Sequence, residues 1–301
     1  MADHRAVADE AVSLIAFGSA IIDPDAYISY ARPGIDAAAE VGATVFAFEA
    51  VGTVCRSYNL LLDAAARLDD LEALVLVDQH VELQDPELCA KVRAALSDPD
   101  VAVAGWMGGS GARSVAWWEG RISVGDVLVQ FNEYGGGRLP ACSWTAVGPA
   151  PAEVDAVDGR LVALSPWAVR NLRFDESLHL GVGFDVDYCR QARAAGRKVV
   201  TAAFRAVHHH SLDLIRGREL WVEGHIAVAE KWEDGGEQDW KARARRAEAE
   251  RDAARTLSYS SATRVDAEVR PLERELEAMT SSRSWRLTAP LRAINRWRRR
   301  R

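Results

Sequence analysis

Leu74-Val75-Leu76-Val77-Asp78-Gln79-His80-Val81-Glu82-Leu83 is an apolar run broken by an Asp-x-His triplet. Leu and Val in unbroken series fit a strand buried on both faces, and its polar end then lies at the strand's carboxyl edge. Open α/β sheets bind ligands outside that edge. Asp78 and His80 are two apart, so on an extended chain they project to one side and one divalent ion can be reached by both. Read without a metal, the same triplet is a strand followed by an Asx-type turn, with His80 merely exposed.

Outward from this run the pattern alternates. Val12-Ser13-Leu14-Ile15-Ala16-Phe17-Gly18 reads as a first strand ending in a Gly-Ser turn, and Ala43-Thr44-Val45-Phe46-Ala47-Phe48 as a second. Between them, residues 26–41 predict a helix interrupted at Pro33-Gly34. Ser57-Tyr58-Asn59 opens an Ala/Leu-rich helix to about Leu68, which leads into the 74–83 strand. Asp85-Pro86-Glu87 supplies an N-cap, a first-position proline and a first-turn acid for a helix to Leu96. Val101-Ala102-Val103-Ala104-Gly105 is the next strand. Strand and helix in alternation predict an α/β fold, a mostly parallel sheet flanked by helices. Residues 108–147, rich in Trp and Gly, predict antiparallel strands and loops, whose aromatics suit either ring stacking on a ligand or interior packing.

The second half concentrates acidic residues. Asp158-Gly159 lies near the start of a strand over residues 157–165, and Phe174-Asp175-Glu176 follows a short helix. Gly181-Val182-Gly183-Phe184-Asp185-Val186-Asp187-Tyr188-Cys189 leads into a helix closed by Gly196 at its C′ position. Asp185 and Asp187 stand about 200° apart on that helix, so only one of them faces a given site. Both suit capping and the helix dipole, whose field lowers a carboxylate pKa and is expected to keep Asp185 ionised. Gly181 and Gly183 offer a flexible loop beside Asp185. A strand, Lys198-Val199-Val200-Thr201, and a His-rich element, Val207-His208-His209-His210-Ser211, close the block.

Composition bounds the function classes. A chain of 301 residues, 49% apolar, buries a full core with an appendage to spare. Cys55, Cys89, Cys142 and Cys189 are scattered, with no C-x-x-C pair, as expected of reduced thiols in the cytoplasm. The apolar stretch 11–22 is short for a bilayer span and follows acidic residues, which argues against a signal peptide. Residues 241–301 hold 17 Lys+Arg against 8 Asp+Glu, while the whole chain carries −7. The body is therefore strongly acidic, and no nucleic-acid partner is expected for it.

In their order, the Asp-x-His strand end, the Val-Asp-Gly strand, Phe-Asp-Glu, the Phe-Asp-Val-Asp-Tyr-Cys helix, Ala-Gly-Arg-Lys-Val and His-His-Ser resemble the inverting nucleotide-sugar glycosyltransferases of family 2, which have the GT-A fold. The resemblance covers roughly residues 12–215. It implies a GT-A domain over 1–235, with a nucleotide-sugar half at about 12–107 and an acceptor half at about 140–215, followed by a helical, basic extension over 236–301. It also implies a nucleotide-sugar donor and a glycan or lipid-linked glycan acceptor. The family's strand-end motif is usually Asp-x-Asp and holds Mn²⁺ or Mg²⁺ on the donor diphosphate. Here Asp78 and His80 stand in its place, with His210 completing the metal shell. The family's catalytic base maps onto Asp185, with Phe184 where an acidic residue often precedes it. Phe17, Gly18 and Ser19 would face the nucleotide, as would Asp78, and Asp158-Gly159 would face the donor sugar or acceptor. Two rival classes share some of these residues: an inert sugar-nucleotide or glycan-binding scaffold, and a His/Asp metallohydrolase, which lacks an H-E-x-x-H pattern.

The tail is a separate object. Residues 241–255 and 267–278 read as a polar helix. Ser284-Trp285-Arg286-Leu287-Thr288-Ala289-Pro290-Leu291-Arg292 resembles a stretch at the ends of many bacterial cell-surface polysaccharide glycosyltransferases, which implies an envelope glycan as product. Leu287, Leu291, Ile294 and Trp297 recur among arginines at near-helical spacing. One such face suits the headgroup boundary of an anionic membrane, at the inner face of the plasma membrane; packing on another subunit is the alternative.

Overall fold

The computed structural model describes residues 14–111, 114–131, 142–143, 148–178, 181–210, 218–232 and 239–288. Its strands are β1 (Leu14–Ile21), β2 (Val45–Glu49), β3 (Leu71–Val77), β4 (Val81–Leu83), β5 (Val101–Gly105), β6 (Met107–Ser110), β7 (Arg121–Val124), β8 (Asp126–Phe131), β9 (Cys142–Ser143), β10 (Gly148–Pro149), β11 (Ala152–Glu153), β12 (Ala156–Val157), β13 (Leu161–Leu164), β14 (Lys198–Thr201) and β15 (Arg205–His210). The helices are α1 (Pro24–Ala26), α2 (Arg32–Ala38), α3 (Val54–Ala65), α4 (Leu88–Ala95), α5 (Pro166–Asn171), α6 (Phe184–Ala194), α7 (Arg218–Trp232), α8 (Asp239–Ser281) and α9 (Arg283–Leu287).

The central sheet has the order β11-β14-β5-β13-β3-β1-β2. Strands β2, β1, β3, β5 and β14 share one direction, whereas β13 runs against both its neighbours and β11 runs against β14. The alternating pattern therefore produced the expected mixed α/β architecture, a mostly parallel sheet flanked by helices. Leu74, Val75, Leu76 and Val77 are all fully buried, because helices cover both faces of β3 and leave neither to water. Each such side chain contributes about 1.5–3 kcal/mol of transfer free energy. Two smaller sheets, β10-β7-β6-β12 and β4-β15-β8-β9, extend the structure beyond the carboxyl ends of β3 and β5.

Three local expectations change. The 74–83 run is not one strand: β3 stops at Val77, and Val81–Leu83 pairs with β15 in another sheet. The Asp78 carboxylate accepts the His80 backbone N–H at 2.9 Å, an Asx-type turn that ends the strand. Pro33 does not interrupt its helix. A π-helical stretch, Tyr27–Ala31, precedes it, and the Arg32 N–H bonds to Tyr27 O, which widens the turn where the ring needs room. Glu87, rather than Asp85, is the N-cap of α4. Asp85 instead accepts from Glu87 N–H, Lys91 Nζ and Arg205 N–H, tying α4 to β15.

The helix over 241–278 belongs to α8, which runs through Pro271. Buried Ala249, Asp252, Ala253 and Thr256 form its inner stripe, and α8 packs on α7. Among the described residues, no helix is long and apolar enough to cross a membrane.

Candidate active site

Because β13 is antiparallel to β3, its beginning lies where β3 ends. Val77 pairs with Leu161, and the Asp78 N–H donates to Arg160 O at 2.7 Å. Asp158-Gly159-Arg160 is thereby set against Asp78-Gln79-His80, although some eighty residues separate them in sequence. The first turn of α6 completes the cluster. Asp185 Oδ2 accepts the Gly159 N–H at 3.2 Å and Oδ1 accepts the Val186 N–H at 2.9 Å. A Cβ on Gly159 would stand 2.8 Å from Asp185 Cβ and 2.9 Å from the Phe184 ring, so the approach of α6 requires glycine there.

The Asp78 pair is close-knit. His80 Nδ1 lies 3.1 Å from Asp78 Oδ1, and both side chains remain partly exposed. Burial pushes the Asp78 carboxyl up, but the His80 hydrogen bonds and the Arg160 charge outweigh it and hold the pKa below its ordinary value. Asp158 is almost enclosed, accepting from Trp106 Nε1 at 3.2 Å and from Arg160 through its N–H at 2.9 Å and Nη1 at 3.2 Å. Its carboxylate is thus committed to Arg160 and Trp106.

Asp185 reverses the expected pKa shift. Burial, reinforced by the Asp158 charge, raises its carboxyl to about 6, and the two amide hydrogen bonds and Arg160 recover only part of that. The helix field at α6 is a smaller effect than desolvation of a carboxylate. A base with a pKa of about 6 is ionised at neutral pH and still binds a proton well, which suits proton abstraction better than an ordinary aspartate does.

Asp187 points away, as the angular argument requires, but its role is not capping. It is fully buried, and accepts from Trp232 Nε1 at 2.7 Å and Gln191 Nε2 at 2.8 Å while pairing with Lys231 Nζ at 2.8 Å. Lys231 also reaches Asp175 at 2.6 Å, holding that carboxyl at about 2. The first turn of α6 is in this way bolted to α7. Gly183, at φ +74°, is packed as well: a Cβ there would meet Val115 and Val228, so this glycine serves a tight turn instead of a hinge.

Other expected site residues are placed differently. Because β1 runs on to Ile21, Phe17, Gly18 and Ser19 lie within the strand and below the rim; Phe17 is fully buried and Ser19 Oγ donates to Val77 O at 2.8 Å. The His210 backbone pairs with Phe131, but its side chain lies outside the described residues. His209 is buried, stacked on Tyr30 and 2.7 Å from Glu82, and His208 packs edge-on against Trp106. Phe184 packs against Tyr58 and Phe174. Burial pushes the thiols of Cys55 and Cys189 up to about 12 and that of Cys89 up to about 11, which leaves them inert.

Several contributors carry little sequence signal. Gln79, the middle of the triplet, accepts the Ile22 and Asp23 N–H groups at 2.7 and 2.8 Å and fastens the end of β1 to the end of β3. Lys231 and Trp232 sit about forty residues beyond Asp187, with no motif around them. Arg160 was legible only as the neighbour of Asp158-Gly159. For a divalent ion, Asp78 and His80 supply one oxygen and one nitrogen donor at the sheet edge. Among the described residues no cluster of three His, Cys, Asp or Glu side chains stands ready. The pair therefore fits a cation that draws its remaining ligands from bound diphosphate and water.

No family model matches the chain. It is 30% identical over 187 residues to the streptomycin biosynthesis protein StrF of Streptomyces griseus, and spans 60% of that curated relative's length with 60% of its own. Among solved structures it is similar to GalNAc-T7 with UDP, GalNAc and Mn²⁺, at 11% identity and a TM-score of 0.47, over 75% of this chain and 49% of that one. It is similar also to the mannosyltransferase PcManGT from Pyrobaculum calidifontis in complex with GDP-Man and Mn²⁺, at 12% identity and a TM-score of 0.45, over 93% and 84%. A197 from STIV overlaps at 12% identity and a TM-score of 0.40, over 66% and 86%. With likenesses of this size, the functional reading rests on the geometry of the cluster itself.

Proposed function

We propose that the chain is an inverting glycosyltransferase of the GT-A type, moving a hexosyl or deoxyhexosyl group from a nucleoside-diphosphate sugar to a hydroxyl of a bacterial cell-envelope glycan or lipid-linked glycan. The observation that supports it best is the convergence, at one sheet edge, of a raised-pKa carboxylate on Asp185 with a cation-attracting pair, Asp78 and His80. In this reading residues 1–235 form the transferase unit, with the donor held over about 12–107 and the acceptor over about 140–215.

Asp185 accepts the acceptor hydroxyl's proton as that oxygen attacks the anomeric carbon from the face opposite the leaving group. The new C–O bond forms as the bond to the diphosphate breaks, and the electron pair departs with the nucleoside diphosphate. The Gly159 and Val186 amides keep each Asp185 oxygen oriented. With one base and no enzyme nucleophile, the reaction inverts. A divalent cation, Mn²⁺ or Mg²⁺, would be held by Asp78 and His80, with His210 as a third ligand, and would supply Lewis-acid stabilisation of the leaving diphosphate.

A panel of nucleotide-sugars, with and without Mn²⁺, tests the reading by thermal shift. At 100 times its Kd, a ligand stabilises the folded state by about 2.7 kcal/mol. One donor should raise the melting temperature, and release of free nucleoside diphosphate should require an added acceptor. No shift with any donor removes the proposal; binding without transfer to a range of acceptors favours an inert scaffold. Asp78→Asn and His80→Ala should each weaken donor binding in Mn²⁺ by about tenfold or more and change binding in EDTA little. Equal affinity for wild type and both variants in Mn²⁺ would take the metal out of the account.

The basic end of the chain, residues 284–301, serves in this reading as a peripheral membrane anchor. Each Lys or Arg near an anionic surface contributes about 1 kcal/mol. Deleting residues 284–301 should abolish sedimentation with anionic liposomes and spare activity on a soluble acceptor. Sedimentation of both forms alike would refute the anchor.

A further inference from the structure

Arg160 stands at the same sheet edge as Asp78, Asp158 and Asp185, and its hydrogen bonding is incomplete. Among the described residues, its guanidinium donates one hydrogen bond, from Nη1 to Asp158 Oδ2 at 3.2 Å. An arginine carries five N–H donors in a planar fork. Arg93 uses its donors more fully. It spends Nε on Glu72 and both terminal nitrogens on Glu40, at 2.6–2.8 Å. Arg160 has three carboxylates around it, on Asp78, Asp158 and Asp185, yet grips a single oxygen and remains 41% exposed at the rim.

The position matters as much as the spare donors. Arg160 O accepts from the Asp78 N–H, so the residue is fixed at the carboxyl end of β3 by its backbone and anchored sideways by Asp158. Three carboxylates against one guanidinium leave the edge negative, and a dianionic ligand enters only where cations face it. A phosphate group presents two oxygens that the planar arginine fork can grip together.

We propose that Arg160 binds the diphosphate of the donor directly and receives the negative charge of the departing nucleoside diphosphate. The assignment rests on the transferase reading above. Arg160 thereby holds the leaving group from the β13 side while the Asp78–His80 pair faces it from β3. Asp158, committed to Arg160 and Trp106, aims the guanidinium and does not itself meet the sugar.

Isothermal titration of the full chain with UDP, GDP and dTDP, and with uridine, guanosine and thymidine, tests this with R160Q and R160K. For whichever diphosphate binds wild type, R160Q should weaken binding by about 10- to 100-fold and leave the matching nucleoside unchanged. R160K should fall between, since a point charge keeps attraction without the fork. Diphosphate affinity in R160Q within about twofold of wild type overturns the assignment and leaves the transferase reading standing. Equal losses for diphosphate and nucleoside, with a lowered melting temperature, also overturn it, because Arg160 would then act through folding alone. Failure of wild type to bind any of the three diphosphates removes both proposals together.

Discussion

Asp185→Asn is expected to lower turnover by about 10²- to 10⁴-fold while donor affinity stays near that of wild type. Asparagine preserves the shape of the side chain but keeps one acceptor oxygen where the carboxylate offers Oδ2 to the Gly159 N–H and Oδ1 to the Val186 N–H, so one amide loses its acceptor, and the side chain cannot take up a proton. The wild-type rate should climb as pH rises through about 6, where the carboxyl ionises, and level off above that. The same group makes a stability prediction of opposite sense. Its folded pKa, about 6, lies above that of an ordinary aspartate, so the fold favours the protonated form. That contribution is fully present below the unfolded pKa, about 4, and is lost as pH rises through the folded value. The melting temperature of Asp185→Asn relative to wild type should therefore rise between about pH 4 and pH 7.5, on top of a pH-independent cost for the amide left without an acceptor. A flat pH–rate profile together with a melting difference that does not change between about pH 4 and pH 7.5 would remove Asp185 from the role of base.

Asp187→Ala should produce the reverse pattern, a large loss of stability and a modest loss of rate. The carboxylate has no exposed surface, and its removal leaves Trp232 Nε1 and Gln191 Nε2 without this acceptor and takes from Lys231 one of its two carboxylate partners. Leaving a buried hydrogen-bond donor without its acceptor costs about 1–3 kcal/mol, and two donors lose theirs here. For a domain of this size that lowers the melting temperature by roughly 10 °C. At temperatures where the variant remains folded, turnover should stay well above that of Asp185→Asn. A melting point unchanged within error would mean that α7 does not brace α6 through this contact.

The fold was legible because its core strands announce themselves. Leu74-Val75-Leu76-Val77 and Val101-Ala102-Val103-Ala104 have no polar alternation, and only a doubly covered sheet accommodates that. The divergence of Asp185 and Asp187 was also legible, since acids two apart at a helix start point in different directions. What the sequence concealed was long-range. The partnership of Asp78 with Arg160 depends on β13 pairing in reverse, and the bracing of Asp187 depends on Lys231 and Trp232 arriving from α7. Neither has a local pattern. The raised pKa of Asp185 is hidden for the same reason: dipole and capping effects are written in neighbouring residues, whereas desolvation comes from everything that packs around the group. The glycine-rich approach to α6 likewise suggested mobility, because φ > 0 is visible as a glycine but Val115 and Val228 above it are not.

The reversed strand also governs the order in which the molecule is assembled. Strand β5 reaches β3 only through β13, so the central sheet stays divided until residues 161–164 have been synthesised and inserted. Strands β1, β2 and β3 emerge early, yet the edge of β3 must wait roughly eighty residues for its partner. Contacts so distant along the chain carry a large loop-closure cost and slow folding. During that wait an apolar, unpaired edge is open to other chains, so an N-terminal fragment ending near Gly105 should aggregate where the longer chain folds.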